Sequence, residues 1–379
     1  MTKLSVGFDR EIFMFQKFGG ISKYFSEIIF GFKSMDELEI SPRLTFSRSN
    51  NMHLRKVVQE SEKFSLVDQR YFFQPKNWIT TAITYGPIRT LNSLWAGGAT
   101  SETRIDLLHA TYYRPELLEK SKGKKLAVTV HDFIPEKLGW LGLRNPHIGK
   151  YKLTKTADLI ICVSKQTAED LDTFYGINDE RVVVIPHGSH PLNSNSTKPK
   201  TQKVSILYVG HRMGYKNFRI LPEALSSIRK DLPDFELIIA GPALDSNEKS
   251  ELERLVGKNN WRSVVNPSDK LLEELYLSAS FHVVTSLMEG FGMTILESMS
   301  KATPVIASDI NVFHEVGGNA VKYFDPTSSD QLANLILEQV NQIEDSTLSA
   351  LSLARSQHFT WEISTAKHAH AYQTAISDN

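Results

Sequence analysis

Cysteine is nearly missing from this 379-residue chain, with Cys162 standing alone. That excludes an internal disulfide and any metal centre built from several cysteines. Net charge is missing as well: 43 Lys and Arg balance 43 Asp and Glu, which argues against a dedicated nucleic-acid partner. No apolar run approaches the roughly 20 residues of a membrane-spanning helix. The opening MTKLSVGFDREIF lacks the apolar centre of a signal peptide. Short repeats and extended low-complexity tracts are absent too. These absences point to a cytoplasmic protein, with peripheral contact at the inner face of the plasma membrane left open. The charge is unevenly spread: residues 1–190 hold 26 Lys+Arg against 21 Asp+Glu, and the remainder 17 against 22. The two parts therefore carry +5 and −5, a mild asymmetry that suits an N-terminal half facing an anionic acceptor or membrane surface.

Short apolar runs are abundant. LSVGF (4–8), IDLLHA (105–110), KLAVTV (125–130), LIICVS (159–164) and RVVVIP (181–186) occupy the first part. VSILYVG (204–210), FELIIAG (235–241), SVVN (263–266), FHVVTS (281–286) and TPVIAS (303–308) repeat the rhythm in the second. Runs this apolar suit strands buried on both faces of a parallel sheet. Amphipathic stretches lie between them, such as ISKYFSEIIFGFK, QTAEDLDTFYG and SDKLLEELYLSA, and the alternation implies an α/β chain. The rhythm breaks at PHGSHPLNSNSTKPKTQK (186–203), whose Pro, Ser, Asn and Lys content marks a linker. At this length two domains are expected, here with a hinge and a cleft. YFFQPKNWITTAITYGPIRTLNSLW (71–95) reads as a helical cap on the first sheet, or as a surface for a lipid-linked or membrane acceptor.

Ligands of open α/β sheets collect beyond the carboxyl ends of the strands. After VSILYVG comes HRMGYKN, which places Arg212 and Lys216 four residues apart. After FHVVTS comes LMEGFGMTILESMSKATPVIASDI, with Glu289 before the glycines and Glu297 in the helical stretch beyond. Glycines let backbone approach a ligand closely, and a helix start offers free N–H groups. A diphosphate fits between these loops with Arg212 and Lys216 as cationic donors. Glu297 is suited to a ribose diol and Glu289 to a second polyol. A carboxylate at each end with donors between them reads as a nucleotide-sugar site. Asp170-Leu171-Asp172 spells an Asp-X-Asp pattern, but inside a helical stretch its two carboxylates face different ways, so no metal is expected. No G-x-G-x-x-G follows the first strand, which removes a dinucleotide-dependent dehydrogenase.

The stretch Glu289, Gly290, Phe291, Gly292 and Glu297, followed by TPVIASDI and HEVGG, resembles the signature of family 4 retaining glycosyltransferases of the GT-B fold. FGGISKY (18–24) is similar to that family's glycine loop, with Gly19 and Gly20 meeting donor phosphate and acceptor. VTVHDFIPE (128–136) is similar to its histidine segment, VSKQTAEDL (163–171) to a helix start, and YVGHRMGYKN (208–217) to its Arg/Lys phosphate loop. FTWEISTAKHAHAYQ (359–373) is similar to a C-terminal helix that crosses back to the N-terminal domain.

The resemblance implies two Rossmann-like domains facing a central cleft. Residues 1–190 would form the acceptor domain, 191–358 the nucleotide-sugar domain and 359–379 the crossover helix. It implies transfer of a hexose from a nucleoside-diphosphate sugar to a glycan or lipid-linked glycan acceptor in surface polysaccharide assembly, with no cofactor. The mannosyltransferase-like segments favour mannose and GDP-mannose, and a UDP-sugar or a nucleotide-sugar epimerase on the same scaffold are the alternatives. By resemblance His131 contacts the donor sugar near the transferring centre. His109, Tyr112 and Tyr113 are candidates for the acceptor side, and Asn266 follows a strand whose end meets the base. Two departures stand out: Met293-Thr294 replaces a usual Leu-Pro, and SMSKATPV replaces a segment of small residues.

Overall fold

The computed structural model describes residues 3–45, 48–49, 51–54, 57, 65–66, 105–140, 145, 147–192, 203–212 and 214–377. The expectation for 71–95 lies outside these residues, as does most of the linker.

The described residues form two six-stranded sheets and one two-stranded piece, all with parallel pairing. The first sheet contains β1 (Leu4–Phe8), β2 (Ile40–Leu44), β3 (Leu107–Ala110), β4 (Lys125–Val130), β5 (Leu159–Cys162) and β6 (Val182–Val184), in the order β2-β1-β3-β4-β5-β6. The second contains β7 (Val204–Val209), β8 (Phe235–Gly241), β9 (Trp261–Val265), β10 (Phe281–Val284), β11 (Val305–Ser308) and β12 (Lys322–Phe324), in the order β9-β8-β7-β10-β11-β12. Both orders reverse direction once, between β1 and β3 in the first sheet and between β7 and β10 in the second. A ligand crevice forms at such a reversal, because the chain leaves the two neighbouring strands toward opposite faces.

All ten apolar runs named from sequence carry a strand, with ends that agree to within two residues. β2 and β12 were not among them. β2 reads Ile-Ser-Pro-Arg-Leu, and Pro42 is tolerated because this strand lies at the sheet edge, where a missing N–H leaves no ladder bond open. β12 is three residues, Lys-Tyr-Phe, too short for a periodic signal.

Both faces of the central strands of the second sheet are dry. Ile206, Leu237, Ile239, Phe281, Val283 and Ile306 pack in one cluster. Their alternate neighbours Leu207, Ile238 and Ala240 pack against Leu275 and Tyr276 in another. In the first sheet, Leu108, Leu126, Val128, Ile160 and Cys162 share a cluster with Leu153 and Leu171. Burial pushes the Cys162 thiol up to about 12, so it packs as a small apolar side chain.

The chain divides into two compact units. The first holds 1–163, 167–186 and 361–379, and the second holds 164–166 and 187–360. The last helix (Trp361–Ser377) thus returns to the first unit. It is anchored there by polar groups: Tyr372 Oη lies 2.6 Å from His109 Nδ1, and His368 Nε2 lies 2.6 Å from Tyr24 Oη. Thr129 Oγ1 joins the two, at 2.8 Å from His109 Nε2 and 3.0 Å from Tyr24 Oη. One carbonyl sets every proton in this chain. His368 Nδ1 faces the Ser364 oxygen at 2.7 Å, and a carbonyl only accepts. The neutral ring therefore accepts from Tyr24 at Nε2, Tyr24 accepts from Thr129, Thr129 accepts from His109 Nε2–H, and His109 Nδ1 accepts from Tyr372.

Candidate functional site

The reversal in the second sheet gathers the residues singled out from sequence. β7 ends at Val209 and is followed by Gly210, whose φ of +135° is open to glycine. A Cβ on the neighbouring Gly241 would lie 2.3 Å from the Gly210 oxygen, so the first two loops of this unit touch backbone to backbone. The loop from β7 then meets the loop from β10. Thr285 Oγ1 donates to the Lys216 carbonyl (2.7 Å), and the Leu287 N–H donates to the Tyr215 carbonyl (2.7 Å). Between these two bonds Lys216 Nζ sits 2.5 Å from Glu289 Oε1, which also accepts from Ser286 Oγ at 2.8 Å. Both side chains keep some exposure, 22% for Lys216 and 16% for Glu289. An ion pair at the mouth of the reversal, reachable by solvent, can exchange partners with an incoming anion.

Arg212 is more committed. Its Nε and Nη2 grip the two Glu248 oxygens at 2.8 and 3.1 Å, while Nη1 and Nη2 donate to the Pro242 and Ala243 carbonyls at 2.8 and 3.0 Å. Glu248 completes the capping box of the helix Ser246–Leu255 with Asp245. Hydrogen bonding to Arg212 holds its carboxyl below the usual range. Four of the five guanidinium N–H groups are therefore spent within the protein, and the side chain organises the loops after β7 and β8. Sequence spacing alone does not reveal this pairing, because Glu248 lies 36 residues away.

The glycine pair shapes the next loop. Gly290 accepts from Ser164 Oγ at 2.7 Å. Phe291 is buried against His187 and Phe359, with ring centroids 5.0 and 6.1 Å away, so it packs the loop instead of offering a ligand face. Gly292 has φ +101°, and a Cβ there would meet the Phe313 ring at 3.0 Å. It precedes the helix Met293–Met299, on which Glu297 accepts from Tyr276 Oη at 3.1 Å. Asn266 adopts φ +44° just beyond β9, its N–H held by the Gly241 carbonyl at 2.8 Å.

In the first unit Gly19 and Gly20 open the helix α1 (Gly20–Ser34). A Cβ at Gly19 would lie 2.3 Å from Gln16 Oε1, whereas one at Gly20 would meet nothing within 4 Å. Gln16 Oε1 accepts the Ser22 N–H at 3.0 Å, capping the third helical position and leaving the approach to Gly20 open. His131 follows β4, nearly buried, with its ring edge-on to Tyr24 and Phe25 at 5.2 and 5.9 Å. Its N–H donates to Tyr113 Oη at 3.0 Å.

Two sequence expectations change here. His109 has no solvent contact and belongs to the polar chain that anchors the last helix, so it does not line an acceptor surface. Tyr113 is buried beneath His131, and only Tyr112 keeps partial exposure. Asp170 pairs with Lys137 at 2.7 Å while Asp172 accepts from Asn178 at 3.0 Å, so the two carboxylates point apart. Among the described residues no helix is long and apolar enough to cross a membrane.

Comparison with known proteins finds glycosyltransferases in sequence and in fold. Residues 190–347 match the family model described as glycosyl transferases group 1, and residues 53–191 match that of glycosyltransferase family 4. An O-antigen chain mannosyltransferase B of Escherichia coli is 26% identical over 282 residues, covering 69% of this chain and 72% of the relative. An uncharacterized glycosyltransferase of Methanocaldococcus jannaschii is 29% identical over 273 residues, covering 68% and 72%. Among solved structures, Anabaena HepE in complex with UDP and glucose has a TM-score of 0.73 at 18% identity, covering 98% of this chain and 100% of that one.

Proposed function

Because this chain belongs to the family 4, group 1 glycosyltransferases, with two Rossmann-like units of the GT-B kind, we propose that it transfers a hexose with retention of anomeric configuration. The donor in this reading is GDP-mannose, and the acceptor a glycan or lipid-linked glycan of a surface polysaccharide. The observation that carries it is the convergence at one sheet reversal of Lys216 with Glu289 (2.5 Å), followed by Glu297 on the next helix. The mannosyl choice is supported by the E. coli relative.

In this reading the donor diphosphate takes Lys216 from Glu289. Glu289 is then released to the hydroxyls of the donor sugar, and Ser286 keeps it oriented. Glu297 accepts from the ribose diol, with Tyr276 fixing its second oxygen. Gly290 and Gly292 let the backbone approach the phosphates, while Phe291 and Arg212 hold the loops in shape, Arg212 adding its positive charge. In the other domain Gly19 and Gly20 admit phosphate and acceptor, and His131 faces the sugar. The acceptor hydroxyl oxygen bonds to the anomeric carbon on the face from which the diphosphate oxygen departs. That oxygen takes the hydroxyl proton, so neither a protein base nor a resident cofactor enters the step. Catalysis is then positioning and stabilisation of leaving-group charge. The reading has residues 1–190 bind the acceptor, 191–358 the donor and 359–379 close back, in the cytoplasm with peripheral membrane contact through the N-terminal domain.

A UDP-sugar donor is the second reading, favoured by the UDP and glucose complex of the Anabaena protein with the same fold. A melting-temperature panel of GDP, UDP, ADP and dTDP on wild type and Glu297→Ala separates the two. Stabilisation by GDP, lost in the variant, supports the first; stabilisation by UDP replaces the donor; no shift with any nucleotide overturns the site. Turnover with EDTA present is expected to equal that without it. Formation of an isomerised free nucleotide sugar in place of a glycoside would mark an epimerase.

A further inference from the structure

Lys150 has no solvent contact, yet it carries an ammonium group. Its Nζ donates to the Asp132 carbonyl at 2.7 Å, to Glu136 Oε2 at 2.9 Å and to His147 Nδ1 at 3.4 Å. Three donors meet three acceptors. An ammonium has no lone pair, so His147 Nδ1 is unprotonated and this imidazole is neutral. Burial, then the neighbouring Lys150 charge, push His147 down to about 3. Phe133 lies beneath the cation with its ring centroid 4.0 Å from Nζ.

Taking such a pair out of water costs several kcal/mol per ion, and apolar side chains of the same size often serve stability equally well. What the cation adds is geometry. It draws the carbonyl of Asp132, the ring of Phe133 and the carboxylate of Glu136 to a single point, and these three belong to the turn that begins at His131. Tyr175 Oη donates to the second Glu136 oxygen at 2.7 Å. From the other side His147 packs on Tyr113, centroids 4.8 Å apart, and Tyr113 Oη receives the His131 N–H. The backbone from His131 to Glu136 is thereby held at its start by Tyr113 and along its length by Lys150.

We propose that Lys150 and Tyr113 are positioning residues of the transfer reaction, fixing the 131–136 turn so that the His131 imidazole is presented to the donor sugar. This rests on the reading of His131 given above. Neither residue touches substrate; Tyr113 acts through the His131 N–H, and Lys150 through the residues that follow it, Asp132 to Glu136.

The test uses the full chain, with GDP-mannose as donor and water as acceptor, and GDP release as the readout; UDP-glucose replaces GDP-mannose where UDP is the stabilising nucleotide. Tyr113→Phe removes one hydroxyl, and Lys150→Met removes the charge at similar length. Both are expected to lower kcat about tenfold or more, the scale of a small misplacement of a reacting group, with donor KM and the nucleotide-induced melting shift kept. Tyr113→Phe added to His131→Ala is expected to cost nothing further, since its effect passes through that imidazole. Wild-type kcat in Tyr113→Phe beside an impaired His131→Ala overturns the positioning role alone. So does a Tyr113→Phe effect that adds in full to His131→Ala. Wild-type kcat in His131→Ala overturns the underlying reading of His131 as well. Should Lys150→Met fail to fold, Tyr113→Phe decides the matter.

Discussion

Certain polar groups of the two units are handled in opposite ways. In the second unit one charge pair at the sheet reversal, Lys216 with Glu289, keeps partial solvent exposure. In the first unit polar side chains sink beneath the surface and are satisfied there. Tyr372, His109, Thr129, Tyr24 and His368 form one neutral relay, and Lys150 spends all three protons on buried acceptors. A pair that solvent still reaches can trade its partner for an incoming anion more readily than a fully buried one. A buried, directed relay leaves an unsatisfied group whenever one member is removed. The difference separates groups poised for a ligand from groups that hold the scaffold.

Three changes test that contrast, and the largest effect is expected at the exchangeable pair. Lys216→Ala should lower turnover on the order of 10²–10³-fold, the scale seen when one stabilising donor is lost from a reacting anion. The melting temperature in the absence of nucleotide should move by only a few degrees. A variant with full activity would place Lys216 among the scaffold groups.

Tyr24→Phe should behave in the opposite sense. Removing its hydroxyl leaves His368 Nε2 without its donor and Thr129 without its acceptor. The cost is about 1–3 kcal/mol of stability, read by denaturant titration, while the nucleotide-induced melting shift persists. Loss of nucleotide binding without loss of stability would break the comparison.

The smallest effect is the pH response. Burial holds His368 down at about 4, whereas the unfolded imidazole takes its proton near 6.5. Between those values the unfolded chain binds more protons, so acid favours unfolding. The contribution of His368 is complete above pH 6.5 and declines as the pH falls toward 4. His109, lowered well below its ordinary value by burial and then by His368, acts in the same direction. His368→Gln should flatten the melting temperature between pH 6.5 and 4 relative to wild type; an unchanged slope would assign the acid response to other groups.

Much of the fold was legible because buried parallel strands leave an unbroken apolar imprint. KLAVTV and FELIIAG appear as strands with the same ends that the sequence suggests. The edge strand containing Pro42 escaped, since a proline is excluded only where a ladder bond is needed. Candidate ligands were legible for a related reason. Loops that follow strand ends must carry any ligand chemistry, so Lys216, Glu289 and Glu297 stood out against apolar surroundings. Roles were less legible. Arg212 reads as a free cation in HRMGYKN, and only its contact with Glu248 shows how far its donors are committed. His109 reads as a strand-end ligand, yet Tyr372, 263 residues later, claims it.

The sequence by itself determined the alternation of strands and helices, the two-unit plan and the short list of polar residues at strand ends. Those depend on local periodicity and on which residues fit a buried sheet. Tertiary structure alone decided which of those residues are spent and which are exchangeable. Hydrogen-bond partners far apart in the chain, such as His109 with Tyr372 and Lys150 with Glu136, become neighbours only when the sheets and the last helix pack. Each buried donor then takes whatever acceptor the fold brings to it.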